Sequence, residues 1–184
     1  MTILIRAITI AVILLAPLPA NAVGWSFQGR MNVEQPAATH ALTLPDPYFG
    51  DGIIIVTLDT VSGEFTSEFS FAGLSGPTFA AHFHEAESGM AGDIVVLTPV
   101  ASVTAGTFSG AVILADLPDA LTALTGDGSF GVGAETLWYH NTHTPDNTAG
   151  ELRAQLFVSS APLPGAVWMF GSALCALFGL RHSR

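Results

Sequence analysis

The sequence predicts an all-β domain: a single antiparallel β-sandwich or barrel of about eight short strands with one short helix. Three observations predict it. Short segments rich in Val, Ile, Thr and Phe run apolar or alternate apolar with polar residues at period two. Clusters of Gly, Pro, Asp and Asn punctuate them. Only Leu117 to Leu124 places leucines at helical spacing, with Leu117, Leu121 and Leu124 on one face.

The elements follow in order. Trp25 to Val33 alternates as a strand. Gln35 to Gly52, rich in Pro, Asp and Gly, reads as a long loop. Gly52 to Asp59 is β-branched and apolar, as in a buried strand. It forms a hairpin with Glu64 to Phe71 across the Ser62-Gly63 turn. Strands follow at Thr78 to His84, Asp93 to Leu97 and Thr107 to Leu114. After the helix, Thr136 to Thr144 and Glu151 to Val158 form the last pair, joined by a Pro-Asp-Asn loop.

Both ends carry targeting patterns. Residues 1–22 read as a signal peptide: Arg6, the apolar run Ala7 to Ala16, then the small triplet Ala20-Asn21-Ala22. Signal peptidase is expected to cut after Ala22; the alternative is an uncleaved anchor, against which the short apolar run and the triplet both speak. Residues 161–184 hold Pro162, Leu163 and Pro164, an uncharged apolar stretch from Ala166 to Leu180, and a basic end with Arg181 and Arg184. Such flanking arginines anchor a helix in a membrane with its basic end in the cytoplasm. This tail resembles the PEP-CTERM bacterial sorting signals in their VPLPA variant, with APLPG here. The resemblance implies recognition by an exosortase-type membrane enzyme. It also implies tethering to the inner membrane of a Gram-negative envelope, then delivery to the cell surface or matrix. The alternative is a plain C-terminal anchor.

Residues 23–160 are the size of one domain. All fifteen acidic residues lie there against two arginines, Arg30 and Arg153, and the chain has no lysine. That balance excludes nucleic acid as a partner, because phosphate binding needs Lys and Arg. The single cysteine, Cys175, is in the tail, so the domain has no disulfide.

Strand periodicity sorts the chemistry by face. Phe79, Ala81 and Phe83 point one way; Thr78, Ala80, His82 and His84 point the other. Leu137, Tyr139, Asn141 and His143 oppose Trp138, His140, Thr142 and Thr144. Leu152, Ala154, Leu156 and Val158 are core-like, with Glu151, Arg153 and Gln155 on the polar face. His140 thus reads as a satisfied core histidine; His40, in a loop, and His182, in the tail, are assigned no role.

Two segments resemble the CHRD (chordin-repeat) family. Ala81-His82-Phe83-His84 followed by Gly92-Asp93-Ile94-Val95-Val96-Leu97 is similar to the first half of its pattern. Tyr139 to Thr144 followed by Gly150-Glu151-Leu152-Arg153-Ala154-Gln155 is similar to the second. His140 and Thr142 stand where the pattern is apolar, Ala154 replaces a glycine, and the loop lacks the usual proline before Gly150. The resemblance spans Trp25 to Val158 and implies an exported domain without an assigned reaction.

Alternate residues on one strand lie ~6.5–7 Å apart, so His82 and His84 can share a metal ion with His143. Imidazole suits copper or zinc, and three histidines leave a fourth position open. Tyr139, Asn141 or Glu151 are candidates for a fourth ligand or for orienting partners. The alternative is a hydrogen-bonded network fixing strand register, with Asn141, Glu151, Arg153 and Gln155 as partners and Glu151–Arg153 as an ion pair. Asp46, Asp51 and Asp127 read as turn residues without EF-hand spacing.

Three functions compete. The preferred one is a non-catalytic binding or structural module, displayed at the surface or associated with matrix polysaccharide. The second is a copper or zinc protein, or a metal-dependent oxidoreductase. His82-Phe83-His84 is similar in pattern to the copper-binding strand of copper/zinc superoxide dismutase, without its bridging histidine, zinc loop or disulfide. The third, a hydrolase, lacks a nucleophile elbow: Gly73-Leu74-Ser75-Gly76 is one residue short and reads as a turn.

Overall fold

The computed structural model describes residues 24–161. The signal-peptide residues Ala20 and Ala22, the motif Pro162-Leu163-Pro164 and the apolar tail stretch lie outside the described residues. Eight strands form one antiparallel sheet: β1 (Trp25–Met31), β2 (Asp51–Leu58), β3 (Glu64–Ala72), β4 (Ala80–Glu85), β5 (Asp93–Thr98), β6 (Gly106–Ile113), β7 (Glu135–Thr144) and β8 (Asn147–Ser160). Their order across the sheet is β5-β4-β7-β8-β1-β2-β3-β6. The sheet curls until its two end strands, β5 and β6, line one small cleft of about 110 Å³ together with Phe65 and Ser67 of β3. The result is a nearly closed barrel.

Period-two alternation builds the interior. Phe27 and Met31 from β1, Ile54, Val56 and Leu58 from β2, and Phe65, Phe69 and Phe71 from β3 point inward. Ala81 and Phe83, Trp138, and Leu152 through Val158 at alternate positions complete the core. Phe65 meets Phe83 edge to face with ring centres 5.0 Å apart, a favoured aromatic geometry.

The predicted helix is α2 (Leu117–Thr125). Asp116 caps its start by accepting a hydrogen bond from the Asp119 N–H, and Gly126 ends it in the left-handed region. Leu124 is buried as expected, together with Ala120 and Ala123, whereas Leu117 and Leu121 are half-buried at the flank. The loop after β1 opens with a single helical turn, α1 (Glu34–Ala37), which its Pro and Asp content had hidden.

Two expectations are corrected. β2 is not buried on both sides: Ile53 and Ile55 are 50 % and 46 % exposed. They point to the outside of the barrel, which carries no second layer there, so a run of β-branched residues marks β propensity rather than burial. Phe79 is 56 % exposed, because it precedes β4 and does not share the inward face of Ala81 and Phe83.

The outside of β4, β7 and β8 does have a cover. Two loops lie on it, residues 32–50 and 86–92, which explains why a polar outer face is buried. Gln35 accepts from the Gln155 main-chain N–H at 2.9 Å, and Thr43 exchanges two hydrogen bonds with Asn147. His40, unassigned in the sequence, bonds the Gly150 carbonyl at 2.8 Å through Nε2 and so pins the first loop to the β7–β8 turn.

Candidate functional site

His82 and His84 stand at alternate positions of β4, and β7 lies beside β4 with Asn141 opposite His82 and Tyr139 opposite His84. His143, two residues beyond Asn141, completes the group. One ring nitrogen from each histidine lies within 4.8 Å of the others. All three side chains are buried, at 9 %, 9 % and 5 % exposure. Ring centres of His82 lie 4.7 Å from His84 and 4.3 Å from His143.

Main-chain carbonyls set the protonation of these rings. A carbonyl only accepts, so the nitrogen facing it must carry the hydrogen. His84 Nδ1 donates to Gly92 O at 2.8 Å, and His143 Nδ1 donates to Thr148 O at 2.9 Å. In the neutral rings, Nε2 of each is therefore a lone pair. His84 Nε2 receives the hydrogen of His82 Nδ1 at 2.8 Å. His143 Nε2 is buried and has no partner.

Burial pushes His82 down to about 4, with His143 and His84 adding to the shift. Burial also lowers His84 and His143, and the hydrogen bonds to Gly92 O and Thr148 O offset it in part. The three rings are thus neutral near pH 7, the state in which imidazole is a ligand.

The two glycines of the motif segments act by lacking a side chain. A Cβ on Gly92 would strike Glu85 O, so only glycine brings the Gly92 carbonyl against His84. Gly150 has φ of 119°, and a Cβ there would strike the Asn141 amide.

The other predicted residues divide. Tyr139 stacks on His84, with centroids 4.8 Å apart and planes within 3°, and its hydroxyl accepts from the Gly92 N–H at 3.1 Å. It braces the loop that presents the Gly92 carbonyl. Asn141 donates to Ala149 O at 3.1 Å, and its Oδ1 is a second buried acceptor without a partner on the histidine face.

Glu151 is not brought to the histidines. The register shift between Thr142 and Thr144, with the Gly150 conformation, takes the start of β8 out of simple alternation. There Glu151 accepts from the Ser75 N–H (2.6 Å), the Ser75 hydroxyl (2.5 Å), the Thr144 hydroxyl (2.5 Å), Tyr48 (2.8 Å) and Asn147 (3.0 Å). Arg153 turns the other way. It donates to Met90 O, Glu87 O and Gln155 Oε1, and its guanidinium lies 3.4 Å above the Tyr139 ring.

The expected Glu151–Arg153 pair is therefore replaced by two separate anchors, one under each covering loop. None of Asn141, Glu151, Arg153 or Gln155 hydrogen-bonds a histidine of the cluster. The carbonyls of Gly92 and Thr148 do so instead. Sequence reasoning missed them because a main-chain acceptor has no residue type; the glycine at 92 was the available signal.

His140 sits in the core as expected, its ring 4.4 Å from that of Phe69 and 5.0 Å from that of Phe83. It is only half satisfied: Nε2 meets the Thr98 hydroxyl at 3.2 Å, and Nδ1 has no partner.

No curated protein and no solved structure matches the chain. A family model does: that of the CHRD domain matches residues 28–156. This span runs from β1 to β8 and contains both histidine strands, both anchors and the two covering loops. The chain belongs to the CHRD domain family.

Proposed function

We propose that this CHRD protein is an exported, membrane-tethered module whose β domain binds rather than catalyses. The observation that carries this reading is the use made of its buried charges. Glu151 and Arg153 are both engaged by the protein's own loops, leaving neither free for acid–base chemistry. They serve to hold a surface in shape.

Ser26 pairs with Ser160, so the described domain begins and ends at one end of the barrel. A tail anchored through Ala166 to Leu180 holds the domain by that end. Signal peptidase removes residues 1–22, and an exosortase-type enzyme acts at Pro162-Leu163-Pro164. The mature protein goes to the cell surface or matrix of a Gram-negative bacterium, where matrix polysaccharide is its partner class.

Fractionation of a Gram-negative host expressing the full chain tests this. In a host without an exosortase-type enzyme, the expected product begins at Val23 and sediments with membranes, and a stop codon after Ser160 moves it to the soluble periplasm. A product retaining residues 1–22 in the cytosol contradicts export. In co-sedimentation, the processed protein is expected to bind matrix polysaccharide without altering it; turnover of that polysaccharide contradicts the non-catalytic reading.

A further inference from the structure

We propose that His82, His84 and His143 form a mononuclear site for a divalent ion of the copper or zinc class. The site is additional to the tethered-module reading and does not depend on it.

Convergence is the first support. Three ring nitrogens lie within 4.8 Å of one another, on two adjacent strands, so ring rotations of about an ångström bring them to the ~3.3 Å mutual spacing that metal–nitrogen bonds of ~2.0–2.1 Å impose in a tetrahedron. Strand pairing sets that convergence, so the donors are placed by the fold before any ion arrives.

The second support is the outer hydrogen bonding. A metal-binding histidine characteristically donates its other N–H to a carbonyl or carboxylate, which fixes the tautomer and aims the lone pair at the metal. His84 and His143 both have this arrangement, through Gly92 O and Thr148 O.

The third is the uncompensated lone pair. His143 Nε2 is buried with no hydrogen-bond partner. Leaving a buried acceptor unpaired costs about 1–3 kcal/mol. A metal ion supplies the missing partner.

Donor type selects the ion class. The cluster holds imidazoles and no carboxylate, because Glu151 is committed elsewhere. Calcium and magnesium prefer oxygen donors, whereas neutral imidazole suits copper and zinc. Entry of the ion must break the 2.8 Å bond between His82 Nδ1 and His84 Nε2, since the same His84 lone pair serves the metal, and the His82 hydrogen must move from Nδ1 to Nε2 by exchange with solvent before Nδ1 can ligate. The rings then separate by about half an ångström to reach ligand spacing.

The test uses the full chain, purified without a chelating tag, stripped with EDTA and titrated with Cu(II), Zn(II) and Ca(II). The expected result is one Cu(II) or Zn(II) per chain, a raised melting temperature with either ion, and no response to Ca(II). The His143→Ala variant should bind at least ~100-fold more weakly. Should that variant fail to fold, the unaltered chain still decides: electron paramagnetic resonance of its Cu(II) form should show nitrogen couplings from three imidazoles. Absence of Cu(II) and Zn(II) binding, a spectrum of oxygen donors, equal affinity for Ca(II), or unchanged binding by a folded His143→Ala variant would each overturn the proposal.

Discussion

Glu151→Ala should cost the domain about 3 kcal/mol or more, because it leaves several buried donors unpaired, at about 1–3 kcal/mol for each. Its side chain is fully buried and takes five hydrogen bonds from four residues. Tyr48 belongs to the first covering loop, Ser75 to the segment after β3, Thr144 to β7, and Asn147 to the start of β8. Truncation to alanine leaves all these donors facing a void. Small domains hold only about 5–15 kcal/mol in total, so the loss takes much of the margin.

The carboxylate also confers a pH dependence. Burial opposes its charge, but the hydrogen bonds from Ser75, Thr144 and Tyr48 prevail and hold its pKa below the ordinary value. A lowered carboxylate pKa stabilises the fold above the unfolded value of ~4.3, and this contribution fades as pH falls through the folded one. Urea unfolding at pH 7 checks the main prediction. A loss below about 1 kcal/mol would mean that the loops are held by other contacts.

His140→Leu should act in the opposite sense, and more so in acid. Burial pushes His140 down to about 3, with His82, His143 and His84 contributing through space. The groups packed around the ring, Phe69, Phe83 and Thr98, offer no negative charge to receive a proton. The unfolded chain takes up that proton near pH 6.5 while the folded core refuses it. Stability from this residue is therefore complete above ~6.5 and falls toward ~3, by up to ~1.4 kcal/mol per pH unit. Leucine fills similar space, removes the unpartnered Nδ1 and removes this dependence. The variant should match or exceed the parent at pH 7 and exceed it by about a further 2 kcal/mol at pH 5. Urea unfolding at both values decides; the same difference at both would show that His140 takes up its proton without strain.

The parts of this site that obey strand alternation were legible in the sequence. His82 and His84 were separated from Ala81 and Phe83, and Tyr139, Asn141 and His143 from Trp138 and His140, by a local rule with period two. Leu152, Ala154, Leu156 and Val158 followed the same rule into the core. Glu151 escaped it because a register shift and the backbone of Gly150 turned it to another set of partners.

Burial of the polar face was also hidden. It depends on loops 32–50 and 86–92 folding back over β8, a long-range event that periodicity does not encode. For the same reason, the exposure of Ile53 and Ile55 could not be read from their type: the sequence does not say which part of the barrel's outside is covered. The isoleucines of β2 lie where it is bare, and the histidines lie where it is not.

The central structural claim is that the main-chain carbonyls of Gly92 and Thr148 hold the hydrogens of His84 and His143 on Nδ1, leaving Nε2 of both rings as lone pairs. Nitrogen NMR of the metal-stripped chain, labelled with ¹⁵N at histidine and recorded above pH 7, tests this most directly. The account predicts that His82, His84 and His143 are all neutral and carry their hydrogen on Nδ1, with Nε2 unprotonated. A hydrogen on Nε2 of His84 or His143 would contradict it, because neither ring could then present a lone pair to its neighbours while bonded to Gly92 or Thr148.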